Sequence, residues 1–262
     1  MKPAPEVFDL FAVPEGTVTL EGGLGLSVLA GDLVLSPGRE ERTANWLNPV
    51  LAPLAAELDH ERPRSLRIAM PIPTRDLRWV VQGWGAARYE PDARLCHDLD
   101  VILATGRLLH ARLAAHVSTP PPGIHERENR WATAERAAFG ERQPTGIPSP
   151  VAPLVARLMA ELDATSLGPD QLVHGDLAGN VLLDASGVPL VIDFSPAWRP
   201  TLWAEAVCVL DAVVRRDADG AVMREWTTGA QRQAMLRAAL FRLLSYEDPD
   251  VPAYQRALAG VA

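Results

Sequence analysis

The stretch Leu172-Val-His-Gly-Asp-Leu-Ala-Gly-Asn-Val-Leu-Leu183, followed by Val191-Ile-Asp-Phe194, is the most informative part of the chain. Its apolar runs are typical of short buried strands. Between them lie a His-Gly-Asp turn, an asparagine four residues after that aspartate, and a second aspartate seventeen residues after it. Phosphoryl transfer needs a carboxylate beside the attacking hydroxyl, and an amide and a carboxylate on the metal ions that bridge the phosphates. The stretch therefore predicts a phosphotransferase with Asp176 as its catalytic base.

The composition limits the class of protein. The 262 residues are 48% hydrophobic and 22% charged, which suffices for one large domain or two lobes with a core. The formal net charge of −8 argues against non-specific binding to nucleic acid or an anionic membrane. Cys96 and Cys208 have neither metal-ligand spacing nor the number needed for a disulfide framework. With no apolar leader and no stretch that could span a bilayer, we expect a soluble, cytoplasmic protein.

The first third of the chain is predicted to be rich in β-structure. Residues 16–36 alternate glycine with β-prone residues, and Ala30-Gly31-Asp32 fits a tight hairpin turn. A helical apolar period runs over Glu40–Leu58, although two prolines inside it could kink or split the helix. Two more strands are expected, at Leu66–Pro71 and Leu77–Trp84.

The rest of the chain is predicted to be mainly helical. An amphipathic helix is expected over His97–His116, with Asp98 as its N-cap. Further helices are expected at Glu126–Glu141, Val151–Leu162, Thr201–Asp217 and Gly229–Tyr246. We therefore predict an α+β chain with a β-rich lobe, a mainly helical lobe and a boundary near residue 90.

The run His174-Gly-Asp-Leu-Ala-Gly-Asn180, with Ile192-Asp-Phe194, resembles the catalytic signature of the aminoglycoside phosphotransferase family, which comprises kinase-like enzymes acting on small molecules. The extended run Ile192-Asp-Phe-Ser-Pro-Ala-Trp-Arg199 is similar to that of an actinobacterial branch. The resemblance is sharp over residues 172–200 and moderate near residues 21–36.

The resemblance implies a fold and an activity. The fold would be two-lobed and protein-kinase-like, with residues 1–90 binding the nucleotide and residues 91–262 carrying the catalytic and acceptor-binding parts. The enzyme would move the γ-phosphoryl group of ATP or GTP, with Mg²⁺, to a hydroxyl of an antibiotic or metabolite. An antibiotic resistance kinase is a natural special case. A protein substrate is disfavoured because no Ala-Pro-Glu segment follows Asp193.

The resemblance also implies roles for the signature residues. Asp176 would accept the proton of the acceptor hydroxyl, or orient that hydroxyl. Asn180 and Asp193 would hold one or two Mg²⁺ ions on the nucleotide phosphates. His174 would brace the loop by hydrogen bonds.

Glycines mark two candidate nucleotide contacts. Gly22, Gly23 and Gly25 lie in a loop where backbone N–H groups can approach phosphate closely, with an ordinary turn as the alternative. Gly83 and Trp84 would belong to the hinge between the lobes, whose backbone would contact the purine edge. For the tryptophan, ordinary core packing is equally open.

Trp198 and Arg199 follow the second aspartate and could line the acceptor pocket. The alternatives are that Trp198 is a structural wedge and that Arg199 pairs with an acidic side chain. The sequence names neither the acceptor nor the oligomeric state.

The chain departs from the family pattern in two places. The step from Asp176 to Asn180 is one residue shorter than usual. The lysine that neutralises the α- and β-phosphates in kinase folds is also absent, since the single lysine is the second residue. The hairpin alignment places Ser36 in its position, and Arg39 or Arg42 could supply the missing charge.

Two other classes of function stay open. A catalytically degenerate kinase-like protein would bind a nucleotide or a partner without turnover. The missing lysine favours that class, whereas the intact Asp176, Asn180 and Asp193 disfavour it. A metal-dependent phosphohydrolase would release phosphate without an acceptor, but it would need a denser set of Asp and His ligands.

Overall fold

The computed structural model describes residues 2–20 and 26–261. Its strands are β1 (Val18–Thr19), β2 (Val28–Ala30), β3 (Leu33–Ser36), β4 (Arg67–Ile68), β5 (Pro71–Ile72), β6 (Gly85–Arg88), β7 (Arg94–Leu95), β8 (Asp170–His174), β9 (Val181–Leu183), β10 (Pro189–Val191) and β11 (Pro196–Pro200). Its helices are α1 (Pro5–Phe11), α2 (Glu41–His60), α3 (Leu99–His116), α4 (Arg130–Ala138), α5 (Ala152–Ala160), α6 (Thr201–Arg215), α7 (Gly229–Ser245) and α8 (Val251–Ala257), with short 3₁₀ helices at Ile124–Glu126 and Gly220–Trp226.

The described residues divide into two compact units that interleave along the sequence. Unit 1 consists of the described residues up to Cys96, together with Pro121–Gly123 and Gly179–Phe194. Unit 2 consists of the remaining described residues, from His97 onwards. These units do not follow a single cut near residue 90, so the lobes 1–90 and 91–262 stay a prediction about domains.

Unit 1 contains an antiparallel sheet with strand order β1-β2-β3-β6-β5. The hairpin of β2 and β3 turns at Gly31, as expected, with φ of 61°. Apolar side chains of α1 and of the sheet form one core, which includes Phe8, Leu35 and Trp84. This core holds β3 and β6 side by side, and β3 ends at Ser36.

The expected strand at Leu77–Trp84 is wrong. The chain there makes a two-residue turn in which Val81 and Trp84 exchange backbone hydrogen bonds of 2.9 and 2.8 Å. Gln82 and Gly83, the central residues, have φ of 50° and 78°. Two successive positive φ angles close a tight hairpin turn and cannot continue a strand. The strand therefore begins later, as β6.

The helix expected over Glu40–Leu58 is confirmed as α2, and it stays continuous through Pro49 and Pro53. Each proline removes one backbone donor. Tertiary packing offsets that loss, because the helix buries a row of leucines against β4 and β5: Leu47, Leu51, Leu54 and Leu58.

A second sheet of unit 1 has strand order β4-β10-β9-β7. The β9–β10 hairpin pairs Val181 with Val191, and β10 runs parallel to β4. Arg67 of β4 forms ion pairs with Asp59, Glu90 and Asp184, the last of which lies in the loop of this hairpin. The second sheet therefore combines two strands from the first segment of unit 1 with two strands from its last segment, Gly179–Phe194.

Unit 2 is mainly helical, as expected, and its helices surround Trp203. The ring of Trp203 packs edge-on against Phe139, at 5.7 Å between centroids, and against Phe241, at 5.3 Å. Asp98 caps α3 by accepting the N–H groups of Asp100 and Val101, which confirms its predicted role. Strands β8 and β11 pair antiparallel. No helix in the described part of the chain is long and apolar enough to cross a membrane.

Candidate functional site

The β9–β10 hairpin of unit 1 places Asn180 and Asp193 just beyond the same end of its ladder. Val181 pairs with Val191, and the N–H of Ile192 donates to the carbonyl of Asn180 at 2.9 Å. Asn180 is 8% exposed, whereas the side chain of Asp193 is 45% exposed. Asp193 also has a φ of 48°, which is uncommon for a residue other than glycine. Such outliers cluster at functional sites.

A cation lies near the end of β3, the strand on which kinase folds carry a lysine. Ser36 is opposite Gly85 of β6, and its hydroxyl shares a 3.0 Å hydrogen bond with Ser27. Arg39 crosses this position, since its Cγ would lie 3.1 Å from a β-carbon added to Gly85. The guanidinium of Arg39 forms an ion pair with Asp193. Arg39 therefore packs against the strand position that pairs with Ser36.

The donor set of Asn180 and Asp193 fits Mg²⁺. This ion prefers oxygen ligands and is commonly held by one or two protein groups, with phosphates and water completing its shell. The carboxylate of Asp193 and the amide oxygen of Asn180 are of this kind. Within the described residues, no cluster of three or more His, Cys, Asp or Glu side chains is suited to a metal ion.

In unit 2, Asp176 follows β8 in a loop that is held by hydrogen bonds. The N–H of Asp176 donates to Nδ1 of His174 at 3.1 Å, and the N–H of Gly175 donates to the carbonyl of Ser195 at 2.9 Å. The N–H of His174 donates in turn to Nε2 of His110 on α3, at 3.1 Å. Burial, with a smaller contribution from His174, lowers the pKa of His110 to about 3. His110 is therefore a neutral acceptor beneath the loop.

The carboxylate of Asp176 is bound by a buried arginine. Nη2 of Arg242, on α7, donates to Oδ1 of Asp176 at 2.5 Å. Nε of Arg242 contacts both carboxylate oxygens of Asp211, on α6, at 3.0 and 2.9 Å. The side chains of Arg242 and Asp211 are 2% and 4% exposed, and that of Asp176 is 39% exposed. We call Asp176, Arg242 and Asp211 the arginine triad.

Burial and charge have opposite effects on the pKa values within the arginine triad. Burial raises the pKa of Asp211, and the charge of Arg242 acts against that rise. Burial alone would lower the pKa of Arg242, but the carboxylates of Asp211 and Asp176 raise it above its ordinary value. Arg242 is therefore a cation. Sequence reasoning missed Arg242 and Asp211, although each is a charged residue inside an otherwise apolar helical run.

The structure places Arg199 in an ion-pair cluster, which confirms the alternative considered for it. Its side chain is 4% exposed and pairs with Glu135 at 2.8 Å and with Glu141 at 2.5 Å. Its guanidinium also lies 4.1 Å from the ring of Phe139. Arg199 therefore bridges β11 and the α4 region. Its neighbour Trp198 is half-buried on β11 opposite Leu172, and its acceptor contact stays a prediction.

The remaining nucleotide contacts expected from the sequence are placed differently or not at all. Gly83 lies in the hairpin turn before β6, and Trp84 is 3% exposed in the core of unit 1. The prediction that Gly83 and Trp84 belong to the hinge between the lobes is therefore wrong. They lie in a turn inside unit 1, whereas a hinge is the segment through which the chain leaves the unit. Gly22, Gly23 and Gly25 lie outside the described residues.

A family model described as "Phosphotransferase enzyme family" matches residues 34–248, which is most of the chain. Comparison with curated protein sequences gives no significant match.

Solved structures show the same fold at low sequence identity. A choline kinase, LicA of Streptococcus pneumoniae, is 14% identical, with 98% of this chain and 96% of that chain covered and a TM-score of 0.51. An aminoglycoside phosphotransferase of Alicyclobacillus acidocaldarius is 12% identical, with coverages of 99% and 86% and a TM-score of 0.53. A spectinomycin phosphotransferase in complex with ADP and spectinomycin is 13% identical, with coverages of 93% and 83% and a TM-score of 0.51. These similarities establish the kinase-like α+β fold expected from the sequence.

Proposed function

Because this chain belongs to the phosphotransferase enzyme family, we propose that it transfers the γ-phosphoryl group of ATP to a hydroxyl of a small molecule, with Mg²⁺ as its cofactor. ATP is favoured as donor because a protein of similar fold is described with ADP bound. No comparison supports GTP, the other donor left open by the sequence. Because ATP is the donor, we place the reaction in the cytoplasm.

The observation that carries the proposal is the hairpin end of unit 1. It offers an amide and an exposed carboxylate, Asn180 and Asp193, with the guanidinium of Arg39 on the latter. Mg²⁺ bound there would neutralise charge on the phosphates. In this scheme, Asn180 and Asp193 hold the ion and Asp176 orients the acceptor hydroxyl and takes its proton. Most of the rate enhancement would then come from positioning and charge.

Arg39 supplies the positive charge that the missing lysine would have given. Ser36 can hydrogen-bond a phosphate oxygen but carries no charge. Cβ and Cγ of Arg39 lie against Gly85, which pairs with Ser36, and its guanidinium extends to Asp193. Guanidinium groups bind phosphate oxygens in a bidentate manner, which suits this exchange. When the nucleotide binds, Arg39 would move from Asp193 to the phosphates and leave the carboxylate to Mg²⁺.

The acceptor is proposed to be a cationic small molecule. Proteins of similar fold are described as acting on choline and on spectinomycin, and both compounds carry positive charge. The net charge of −8 favours such a substrate over an anionic one. If the acceptor is an antibiotic, its phosphorylation would confer resistance.

The first test is binding of ATP by calorimetry, with and without Mg²⁺, to the wild type and to Asp193→Ala. We expect Mg²⁺-dependent binding that the substitution weakens at least about tenfold, or roughly 1.4 kcal/mol. Asp92→Ala is the matched control, because Asp92 is also an aspartate of unit 1 with positive φ, 63°. Its affinity should stay within about twofold of wild type. Absence of nucleotide binding in the wild type would refute the proposal.

Turnover separates the proposal from its rivals. ADP release would be followed with choline, spectinomycin and kanamycin as acceptors, and without any acceptor. Acceptor-dependent release indicates a kinase. Release that is independent of acceptor indicates a phosphohydrolase. Tight binding with no release under any condition indicates a degenerate kinase-like protein, the class that the missing lysine favours.

A further inference from the structure

The three side chains of the arginine triad differ in their exposure to solvent. The side chains of Arg242 and Asp211 are 2% and 4% exposed, so neither can contact a molecule that arrives from solvent. The side chain of Asp176 is 39% exposed. Of the three side chains, only that of Asp176 is open to solvent, and it is bound to a charge buried inside unit 2. Contact with the substrate is left to Asp176.

The guanidinium of Arg242 is held on several sides. It forms hydrogen bonds with both carboxylate oxygens of Asp211. The rings of Phe241 and Tyr246 lie 4.8 and 5.7 Å from its Cζ. Arg242 and Asp211 come from α7 and α6, two helices that pack closely in the core of unit 2. A cation fixed in this way does not move with the carboxylate of Asp176. The position of the cation therefore determines the orientation of that carboxylate.

Stability alone is a poor explanation for a buried charge cluster of this kind. Removing charged groups from water is costly, and well-packed apolar side chains often give equal or greater stability. The triad also carries two carboxylates against one guanidinium. A role in fixing the geometry of an exposed carboxylate accounts for a cluster that packing does not require.

We propose that Arg242 is a positioning residue for Asp176: it binds Oδ1, fixes the rotation of the carboxylate and so orients it toward the acceptor hydroxyl. Asp211 secures Arg242 from below. The inference rests on the proposed function, in which Asp176 is the base. Small displacements of a catalytic group can lower a rate about 100-fold, so the orientation of this carboxylate should appear in kcat.

The test compares variants that remove the contact while keeping the fold. Arg242→Met alone leaves Asp211 buried and unpaired, and it is expected to unfold. The double variant Arg242→Met/Asp211→Leu removes both buried charges and retains apolar volume. We expect it to fold, to lose between about tenfold and 100-fold in kcat, and to keep its KM for MgATP within about twofold. Arg242→Lys, which keeps the charge but not the bidentate geometry, should lie in between.

The decisive measurement is a thermodynamic cycle with Asp176→Ala. If Arg242 acts through Asp176, the double variant lowers kcat in the wild-type background and has no further effect once Asp176 is alanine. Arg136→Lys is the control. Arg136 is also largely buried in unit 2, where it binds the carbonyls of His125 and Arg127, and its kcat should match wild type.

Two results would overturn the inference. One is wild-type kcat in the double variant. The other is an equal loss in both backgrounds, which would indicate a general structural effect. Failure of the proposed function looks different, since the wild type would then release no ADP with choline, spectinomycin or kanamycin. In that case the inference falls with it.

Discussion

At the scale of single residues, we propose that the kinase lysine has been exchanged for an arginine from a neighbouring position. A kinase-like chain needs a cation near the phosphates, and β3 ends in Ser36 instead. Arg39 is three residues further along, and its guanidinium reaches Asp193. The sequence left Arg39 and Arg42 as equal alternatives. The contact with Asp193 favours Arg39.

This exchange predicts the behaviour of Arg39 variants. Arg39→Ala should weaken MgATP binding about tenfold, because it removes a charged phosphate contact. Arg39→Lys should lose less. Adding Ser36→Lys to Arg39→Ala should restore most of the affinity, because the charge returns to its usual strand. Calorimetry measures all three, with Arg75→Ala as a control that removes an exposed ion pair with Asp9 in the same unit. Wild-type affinity in Arg39→Ala would contradict the assignment.

His110 predicts a dependence of stability on pH. Its pKa is about 3 in the folded chain and about 6.5 when unfolded, so the unfolded chain binds the proton first as the pH falls. Stability should therefore decrease below about pH 6.5, and the loss at pH 5 relative to pH 7 is about 2 kcal/mol. Glu135 and Asp211, whose pKa values burial raises, act in the opposite direction.

The variant His110→Gln isolates this contribution, because glutamine can accept the N–H of His174 but does not titrate. Urea unfolding at pH 7 and pH 5 should show a smaller loss for the variant than for the wild type. His97→Gln, at an exposed histidine, is the control for the exchange of the side chain. Equal losses in the wild type and in His110→Gln would show that His110 does not titrate as inferred.

At the scale of elements, the sequence predicted helices better than strands. The helical periods of α2, α3, α6 and α7 are long, so a few irregular positions do not hide them. The strands β4 to β7 have two to four residues each, which is too short for a period of two to stand out. The segment before β6 was apolar enough to resemble a strand. The direction of the chain in this segment is determined by the backbone conformation of Gln82 and Gly83. The amino-acid composition of the segment does not reveal that conformation.

Two glycines in and beside this turn, Gly83 and Gly85, lead to a testable prediction. Gly83 has positive φ and open space at its β-carbon, so Gly83→Val should cost roughly 1–2 kcal/mol of stability and Gly83→Asn much less. Gly83→Asn should leave the affinity for MgATP unchanged, because asparagine tolerates the positive φ and so retains the bond from the Arg39 N–H to the Gly83 carbonyl, at 2.9 Å. Gly85→Ala should weaken MgATP binding, since its methyl group would press on Arg39. Urea unfolding and calorimetry separate the two effects, and weaker binding in Gly83→Asn would restore the hinge interpretation.

At the scale of the whole molecule, the sequence located the signature residues but not the units that hold them. Asp176, Asn180 and Asp193 are read directly from the motif. The partners Arg242 and Asp211 are far away in sequence, and only the packing of α6 against α7 brings them to Asp176. In the same way, nothing local in Gly179–Phe194 shows that this segment belongs to unit 1.

The interleaving of the units predicts that residues 1–96 do not fold as a fragment. In the second sheet, β4 and β7 have only β10 and β9 as neighbours, and these strands come from Gly179–Phe194. The fragment would lose the bond from the Cys96 N–H to the Val181 carbonyl, at 2.9 Å, and the Asp184 partner of Arg67. Unpaired strands of two residues cannot hold a sheet together. We expect urea titration of fragment 1–96, followed by circular dichroism, to show no cooperative transition.

Joining residues 179–194 to Cys96 through a short Gly/Ser linker should restore that transition, because the linker returns β9 and β10 to their neighbours. The same linker followed by a scrambled copy of residues 179–194 should not, since composition alone cannot rebuild the pairing register. Cooperative unfolding of fragment 1–96 by itself would instead support an independent domain that ends near residue 90. The two outcomes decide whether the β9–β10 hairpin is a structural part of unit 1 or is only covalently attached to it.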